Sequence, residues 1–313
     1  RQLGIIVLTM KHIIESQQFD QKLINKIFSI AGKLKNKTNN SCKGKIMASL
    51  FYEPSTRTRF SFESAMLRLG GNVITTENAK EFSSAAKGET LEDSIKVINN
   101  YADVIVLRHF EEGSSKKAAL VSKIPIVNAG DGAGQHPTQA LLDLYTIKME
   151  LKKINGITIA LVGDLKHGRT IRSLAYLLGK YKDIKIYFVS PKGLRVGEDI
   201  KKYLNKHNIY YKETEDLKSV IKIIDVLYQT RIQKERFETK KEYKKFKGCY
   251  KIDLALVRRM KPKSIIMHPL PRIDEISQEV DGDKRAAYFR QARNGLYIRM
   301  ALLDILLNKR IRR

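Results

Sequence analysis

The chain has 313 residues, of which 42% are hydrophobic and 29% are charged, which is typical of a globular protein with one large or two medium domains. No apolar run approaches the ~20 residues that a membrane-spanning helix needs, so we expect no membrane partner. Its two cysteines, Cys42 and Cys249, lie far apart in sequence, which argues against structural zinc and predicts a reducing compartment, taken as cytoplasmic.

The 59 basic and 33 acidic residues give a net charge of +26, which makes nucleic acid or an acidic membrane a candidate partner. The lysines, however, are scattered through predicted helices and loops. The sequence has neither a zinc-finger spacing nor an aromatic RNA-binding sequence. We therefore expect no nucleic-acid partner and a site for small anions, and keep a nucleic-acid-binding module as a rival hypothesis.

The first predicted element is an amphipathic helix from Asp20, a suitable N-cap, to Leu34. A buried strand, Ile46 to Tyr52, then leads into a second helix that starts at Ser55 to Thr58. Unpaired backbone N–H groups and the positive end of the helix dipole meet three hydroxyls and an arginine there, which suits a phosphate. An ordinary capped helix is the alternative.

Two arginines of this second helix, Arg57 and Arg59, lie two residues apart. On a helix their side chains diverge by about 200°, so they cannot both bind one small anion. We assign Arg57 to the ligand and Arg59 to the scaffold.

The next elements are a short strand at Val73 to Thr75 and a polar loop that carries Ser83 and Lys87. A helix capped by Thr90 follows. Strand Val104 to Leu107 then ends at Arg108. Ligands of open parallel sheets bind beyond the carboxyl ends of strands, so Arg108 is expected to join Arg57.

A further strand, Ile124 to Val127, is followed by a glycine-rich loop, Asn128 to Gln135, and by a helix with Pro137 in its first turn. His136 and Gln139 are three residues apart and share a face at the start of this helix. A histidine at a strand-to-helix junction favours a functional role over a core position.

The pattern restarts around Lys152 to Gly156, and we place the domain boundary near there, between residues 150 and 151. Strand Ile157 to Val162 leads into Gly163 to Thr170, which nearly spells a nucleotide P-loop with Arg169 in the lysine position. Arginine is a planar fork suited to a carboxylate, and the loop interior is bulky. We expect no nucleoside triphosphate here, and keep a P-loop nucleotide binder as a second rival.

Two strand–helix units follow, with strands at Lys185 to Val189 and Ile209 to Lys212. The next two strands end in polar or proline-rich segments. Asp225 to Tyr228 is followed by Arg231 and Gln233, and Ser264 to Met267 is followed by His268 to Pro271. The two prolines fix an extended turn whose carbonyls can accept hydrogen bonds from a substrate amine. A helix between Gly248 and Met260, and a long final helix or helix pair over Lys284 to Leu307, complete the pattern.

The strand ends fall into two groups, one in each half of the chain. The first suits a phosphate beside a polarised carbonyl, and the second suits a small dicarboxylate. The residues therefore predict group transfer across an interdomain cleft.

The motifs together resemble the catalytic chains of the aspartate carbamoyltransferase family, in the family's order and over nearly the whole length. Pro269 matches the aspartate-using branch, whereas the ornithine branch carries cysteine there; an ornithine carbamoyltransferase is the nearest rival. The matching motifs are Phe51-Tyr52-Glu53-Pro54-Ser55-Thr56-Arg57-Thr58-Arg59, His136-Pro137-Thr138-Gln139, Gly163-Asp164-Leu165-Lys166, Arg231-Ile232-Gln233-Lys234-Glu235-Arg236 and His268-Pro269-Leu270-Pro271.

The resemblance implies an α/β fold of two doubly wound domains with parallel sheets, helices on both faces and the active site in the interdomain cleft. Residues 1–150 would bind carbamoyl phosphate and residues 151–292 aspartate. Residues 293–313 would form a C-terminal helix that packs back on the first domain. Arg293 departs from the family, which usually has a small or acidic residue there.

The resemblance also assigns roles to residues. Carbamoyl phosphate would contact Ser55, Thr56, Arg57, Thr58, Arg108, His136 and Gln139. Aspartate would contact Arg169, Arg231, Gln233, Leu270 and Pro271. Glu53, Glu235 and Arg236 would brace the closed state.

Ser83 and Lys87 match a loop that enters the neighbouring subunit's site and contacts the substrates there, which implies a homotrimer. The resemblance implies no cofactor and no metal, and it leaves a regulatory chain and an N-terminal extension open.

Overall fold

The computed structural model describes residues 10–79, 87–232, 237 and 239–308. Contacts divide the chain into two compact units. Unit 1 takes the residues up to Thr138 and those from Gly295 onward, and unit 2 takes Gln139–Asn294. Each unit is built around its own parallel sheet, which confirms the predicted class of two α/β domains. The predicted domain boundaries, with their substrates, and the interdomain position of the active site stay predictions.

The strands are β1 (Ile46–Phe51), β2 (Asn72–Glu77), β3 (Val104–His109), β4 (Ile126–Asp131), β5 (Thr158–Val162), β6 (Lys185–Val189), β7 (Tyr210–Thr214), β8 (Val226–Gln229) and β9 (Ile265–Met267). The α-helices of the described residues are α1 (Gln21–Leu34), α2 (Thr56–Arg68), α3 (Leu91–Ile98), α4 (Ser114–Val121), α5 (Pro137–Leu151), α6 (Arg169–Leu178), α7 (Glu198–Lys206), α8 (Leu217–Val220), α9 (Lys240–Phe246), α10 (Leu254–Arg258) and α11 (Tyr288–Asn308). None of them has the length and apolar character that crossing a membrane requires.

The sheet of unit 1 has the order β2-β1-β3-β4, and every neighbouring pair is parallel. Strands β1, β3 and β4 are buried along almost their whole length, as expected for a parallel sheet covered on both faces. The chain moves from β1 to β2 on one side and then to β3 on the other. This change of direction puts a topological switch point at the carboxyl ends of β1 and β3.

Side-chain hydrogen bonds start two of the helices of unit 1. The Asp20 carboxylate accepts from the backbone N–H of Leu23 at 2.7 Å, and the Thr90 hydroxyl accepts from that of Asp93 at 3.1 Å. These bonds satisfy N–H groups that a helix start leaves without an intrahelical partner. The caps at Asp20 and Thr90 predicted from the sequence are therefore confirmed.

The sheet of unit 2 has the order β7-β6-β5-β8-β9, again with parallel pairs throughout. The switch point lies between β5 and β8. One face of this sheet buries Ala160, Val162, Leu227 and Ile266 in a core cluster with α8 and α10. The two units therefore present the same construction, with neighbouring strand ends at a switch point.

Two sequence predictions need correction, and one helix was not predicted. Asn128–Asp131, predicted as loop, continues β4 and is fully buried; the glycine and two polar residues concealed a strand. The helix predicted between Gly248 and Met260 is limited to Leu254–Arg258, and the preceding helix, Lys240–Phe246, was not predicted. Its lysine-rich sequence has no apolar stripe.

Candidate active site

The α2 start in unit 1 carries the predicted phosphate-binding segment. Ser55 is the N-cap residue, and its side chain makes no capping hydrogen bond. Thr58 is 7% exposed, whereas Thr56 and Arg57 face solvent. The hydroxyl of Ser55 is thus available at a helix end whose backbone N–H groups and dipole favour an anion.

Arg108 lies at the end of β3, directly beside the end of β1. Phe51 and Arg108 are register partners, and the N–H of Tyr52 donates to the carbonyl of Arg108 at 2.8 Å. Its guanidinium donates to the carbonyl of Ala129 at 3.4 Å and lies 3.3 Å from the Glu53 carboxylate. The structure therefore brings Arg108 to the same sheet edge as the α2 start, with its head held between β4 and Glu53.

His109, the residue after Arg108, serves the local structure. Its Nδ1 accepts from the N–H of Glu111 at 3.1 Å and lies 2.8 Å from the Ser114 hydroxyl. Burial lowers the pKa of His109, in keeping with a neutral ring that accepts at Nδ1. The ring stacks on Phe110 at a centroid distance of 4.3 Å.

His136 follows the third strand of this group, β4. The turn between them is closed by the Asp131 carboxylate, which accepts from the N–H of Gln135 at 3.0 Å. The N–H of Ser16 donates to the Gln135 side chain at 2.8 Å, which ties the N-terminal segment to the turn. His136 is 4% exposed and immediately precedes Pro137, the first residue of α5. Its predicted junction position is confirmed.

Arg169 begins α6 in unit 2, after the loop that follows β5. In that loop the buried carboxylate of Asp164 accepts from the backbone N–H of His167 at 3.0 Å, and the His167 Nδ1 lies at 3.1 Å. These contacts close the segment that resembled a nucleotide loop and bring Arg169 to the sheet edge.

Arg231 follows the neighbouring strand, β8. The N–H of Thr230 donates to the carbonyl of Val162 at 2.8 Å, and the Thr230 hydroxyl donates to the same carbonyl at 2.9 Å. Gly163 has a φ of +118°, and a Cβ there would lie 2.4 Å from the carbonyl oxygen of Thr230. The ends of β5 and β8 therefore meet only because residue 163 is glycine.

Leu270 and Pro271, predicted to contact the substrate amine, lie in the loop after β9. The peptide bond between them is cis, and Leu270 has a φ of +53°. The N–H of Leu270 donates to Nδ1 of His268 at 2.8 Å, so the other ring nitrogen, Nε2, carries the hydrogen. Nε2 donates to the Glu275 carboxylate at 2.7 Å. The loop is therefore built on a neutral, buried histidine.

Glu275 completes this support, which sequence reasoning missed. Its second oxygen accepts from the N–H groups of Ile273 at 3.1 Å and Asp274 at 3.2 Å. Burial by itself raises the pKa of Glu275, but the hydrogen bonds to the carboxylate outweigh it, led by the bond from His268, and the pKa falls below its usual value. The carboxylate therefore stays ionised.

Gln139 is the first residue of unit 2, and its side-chain N–H donates to the carboxylate of Asp143 at 2.8 Å. Asp143 lies one helical turn further along α5, so the i, i+4 spacing was the sequence signal for this pair. Gln291, which donates to the same carboxylate at 2.7 Å, had no such signal because it is 148 residues away.

Lys87 is exposed, whereas Ser83, Gln233, Glu235 and Arg236 lie outside the described residues. In the part of the chain that the structure describes, no group of three or more histidine, cysteine, aspartate or glutamate side chains could hold a metal ion. Arginine, hydroxyl and carbonyl groups at strand ends therefore make up the described candidate site.

Two family models match consecutive parts of the chain. The carbamoyl phosphate-binding domain of aspartate/ornithine carbamoyltransferases matches residues 11–149, and their aspartate/ornithine-binding domain matches residues 155–306. Aspartate carbamoyltransferase 3, chloroplastic, of Pisum sativum is 59% identical over 301 residues, which are 94% of this chain and 77% of the relative. The chain belongs to the aspartate carbamoyltransferase family.

Solved structures agree with this assignment. The catalytic subunit of Methanocaldococcus jannaschii aspartate transcarbamoylase is 51% identical, has a TM-score of 0.88 and covers 96% of this chain and 99% of its own. The Trypanosoma cruzi enzyme in complex with carbamoyl phosphate and aspartate is 43% identical, has a TM-score of 0.90 and covers 95% of this chain and 97% of its own. The chain is therefore an enzyme of carbamoyl transfer, as the motifs predicted.

Proposed function

We propose that the chain transfers the carbamoyl group of carbamoyl phosphate to the amine of L-aspartate, which gives N-carbamoyl-L-aspartate and phosphate for pyrimidine synthesis. The observation that carries this proposal is the pairing of the α2 start with Arg108 on neighbouring strand ends of unit 1. A helix start beside a fixed guanidinium is suited to a phosphate. The Trypanosoma cruzi relative binds carbamoyl phosphate and aspartate together.

In unit 1 we assign the phosphate of carbamoyl phosphate to Ser55, Thr56, Arg57, Thr58 and Arg108. Thr58, Arg108 and His136 polarise the carbamoyl carbonyl, and Gln139 contacts the carbamoyl amide. Glu53 supports this assignment because its carboxylate lies 3.3 Å from the Arg108 guanidinium and orients it. Glu53 itself is not assigned to a substrate contact.

In unit 2 we assign the aspartate carboxylates to Arg169, Arg231 and Gln233. The planar forks of the two arginines suit carboxylates. The carbonyls of Leu270 and Pro271 accept hydrogen bonds from the substrate amine and direct its lone pair.

The reaction needs no covalent intermediate, and we propose no cofactor and no metal. The neutral amine of aspartate attacks the carbamoyl carbon, a C–N bond forms, and the carbonyl oxygen takes up negative charge opposite Thr58, Arg108 and His136. The C–O bond to phosphate then breaks, and the departing phosphate takes the amine proton. Catalysis depends on holding both reactants in line and on donors aimed at the developing oxyanion.

We further propose a homotrimer in which Ser83 and Lys87 complete the active site of the neighbouring subunit. Unit 1 presents large apolar side chains on α2 and β2, with Phe60 56%, Leu67 60% and Ile74 42% exposed. These residues lie just before the segment that carries Lys87 in sequence. Exposed apolar side chains on adjacent elements are typical of a subunit contact.

The test is an assay for carbamoyl aspartate with carbamoyl phosphate and aspartate, run beside an assay for citrulline with ornithine. We expect product from aspartate and none from ornithine. Product from ornithine alone would support the ornithine rival, and no product from a folded protein in either assay would overturn the proposal. Salt-dependent retention of RNA, or binding of a nucleotide with Mg²⁺, would support the other rivals.

The predicted cytoplasmic location also stays a proposal. Relatives from Pisum sativum, Arabidopsis thaliana and Oryza sativa carry the word chloroplastic in their names, at 54% to 59% identity. A reducing plastid interior would suit Cys42 and Cys249 as well as the cytoplasm would. Fluorescence microscopy of the full-length protein, tagged at its C-terminus, distinguishes the two compartments.

A further inference from the structure

A buried carboxylate, that of Asp143 on α5, collects three side-chain donors in unit 2. One oxygen, Oδ1, accepts from Nε2 of Gln139 at 2.8 Å and from Nε2 of Gln291 at 2.7 Å. The other oxygen, Oδ2, accepts from the hydroxyl of Tyr228 at 2.7 Å. Asp143 is 0% exposed, and its donors come from three different elements: α5, β8 and α11.

The donors account for a carboxylate at this depth. Burying an unbonded carboxylate is very unfavourable, whereas hydrogen bonds to both of its oxygens offset much of the lost hydration. Burial and then the Asp143 charge raise the pKa of Tyr228 well above its usual value, so the phenol remains a donor. Each of the three donors is therefore fixed in its role.

The carboxylate decides which way both glutamine amides point. An ionised carboxylate only accepts, so Gln139 and Gln291 must both present their NH₂ groups to Asp143. The carbonyl oxygen of Gln291 accepts from the backbone N–H of His268 at 2.9 Å. The carbonyl oxygen of Gln139 is turned away from Asp143, where it can accept an N–H from a ligand.

The hydrogen bonds continue from Gln291 to the loop after β9. The backbone of His268 is held by Gln291, and its ring accepts from the N–H of Leu270 at 2.8 Å. An unbroken series of hydrogen bonds thus joins Gln139 to the residue whose carbonyl is assigned to the substrate amine.

We propose that Asp143 and Gln291 are positioning residues that orient two substrate-contacting parts of unit 2 together. Asp143 keeps the Gln139 carbonyl turned to the N–H of the carbamoyl amide. Gln291 keeps the His268–Pro271 loop in the conformation that directs the amine of aspartate. The inference rests on the proposed function, because it takes the Gln139 and Leu270 contacts from there.

The first experiment compares the binding of carbamoyl phosphate and inorganic phosphate, measured by calorimetry on the assembled enzyme. Phosphate lacks the amide that Gln139 contacts. We expect Asp143→Ala to weaken carbamoyl phosphate binding about tenfold, the equivalent of one hydrogen bond, and to change phosphate binding less than about twofold. Equal weakening of both ligands would indicate general damage and overturn the proposal.

Two further variants sharpen this experiment. Asp143→Asn retains an acceptor for both glutamines while its NH₂ can donate to Tyr228, so we expect carbamoyl phosphate affinity to return to within about threefold of wild type. An asparagine as damaging as alanine would mean that the charge matters instead. Asp143→Ala added to Gln139→Ala should have no further effect on carbamoyl phosphate, and additive losses would contradict action through Gln139.

The second experiment uses Gln291→Leu to test whether Gln291 positions the His268–Pro271 loop. We expect KM for aspartate to rise about fivefold or more, with carbamoyl phosphate affinity within about twofold of wild type, because Gln139 and Asp143 remain paired. The matched control is Asn294→Leu. Asn294 lies on the same helix as Gln291 and donates to the Thr146 hydroxyl on α5 at 3.0 Å, outside the series of bonds. Its KM should not change.

Failure of this inference can be distinguished from failure of the proposed function. Wild-type enzyme that makes no carbamoyl aspartate contradicts the proposed function, whatever the variants do. If the wild-type enzyme is active and Gln291→Leu leaves KM for aspartate unchanged, the role of Gln291 in positioning the His268–Pro271 loop is overturned. If Asp143→Ala does not fold, as judged by circular dichroism, Gln291→Leu with its control decides the proposal.

Discussion

At the residue scale, the two arginines at the start of α2 show how identical side chains take different roles in one helix. Arg59 lies 2.8 Å from the Glu77 carboxylate and 3.8 Å from that of Glu63, and its guanidinium lies over the Phe60 ring at 5.1 Å. These contacts tie α2 to β2. Arg57, on another face of the helix start, is exposed. The scaffold role predicted for Arg59 agrees with these contacts, and the ligand role of Arg57 stays a prediction.

Substitution of each arginine by alanine separates the roles. By analogy with the removal of one oxyanion-site donor, we expect Arg57→Ala to lower kcat by roughly 10² or more, with an unchanged melting temperature. Arg59→Ala should keep kcat within about threefold but lose about 1 kcal/mol of stability, because its ion pairs are partly exposed. Steady-state kinetics and thermal melts measure both. Near-wild-type turnover in Arg57→Ala would refute its assignment to the phosphate.

Residues at strand ends could be predicted from sequence because each follows a recognisable strand. Arg108, His136 and Arg231 were placed this way, and in the sheets β3 lies between β1 and β4 while β8 lies beside β5. The support of Asp143 by Gln291 could not be predicted. It depends on which elements pack against α5, and a single sequence without a fold carries no information on contacts between residues so far apart.

At element scale, the contact between the β5 and β8 ends predicts a strong effect of Gly163→Ala. The added Cβ would meet the carbonyl oxygen of Thr230, which is backbone and cannot rotate away. We expect a loss of about 2 kcal/mol, together with a raised KM for aspartate because Arg231 follows Thr230 directly. Gly282→Ala is the control, since nothing lies within 4 Å of its added Cβ. Urea unfolding and kinetics provide the two measurements, and equal stability of both variants would contradict the close approach.

At the same scale, His12 in the segment beside β4 predicts that the free energy of unfolding depends on pH. Burial, and then the charge of Lys11, lower the pKa of His12 to about 4, and its Nδ1 accepts from the N–H of Ile126 at 3.1 Å. The unfolded chain takes up this proton below its ordinary pKa of about 6.5, and the folded chain only near 4. Stability should therefore fall as pH drops from 6.5 to 4, by about 1 kcal/mol for a half-buried ring.

His12→Asn is the matched variant for this pH dependence, because its side-chain carbonyl can replace Nδ1 as acceptor but does not titrate. Urea unfolding of both proteins between pH 7 and pH 4 measures the difference. We expect the wild-type protein to lose stability relative to His12→Asn as pH falls through this range. Parallel curves would show that His12 is not the group responsible.

Element prediction succeeded where apolar residues alternate with clear turn signals and failed where composition concealed them. The bounds Lys185–Val189 were predicted as the structure has them. The Asn128–Asp131 part of β4 was missed because a polar, glycine-containing strand can be recognised only once its neighbours bury it. Sheet order was likewise beyond the sequence, since it depends on strand pairing across long separations.

At the scale of the whole molecule, the proposed trimer makes each active site a product of two subunits. Arg57 would act within its own subunit and Lys87 in the neighbouring one. In a closed ring of three subunits every chain both receives and supplies one such contribution. Substitution of Arg57 would then disable the site of its own subunit, whereas substitution of Lys87 would disable the site of the neighbouring subunit. In a mixed ring the two defects can fall in the same site and leave another site intact.

Mixed trimers of Arg57→Ala and Lys87→Ala test this arrangement. After joint dissociation and reassembly at equal amounts, a site is intact when its own chain carries Lys87→Ala and the neighbour carries Arg57→Ala. Random assembly makes that combination in about one quarter of sites, so activity should recover to about a quarter of wild type. Each variant treated alone, and the two mixed without dissociation, should stay inactive. If activity does not recover although mass measurement shows mixed trimers, Arg57 and Lys87 act within one subunit and the shared site is wrong.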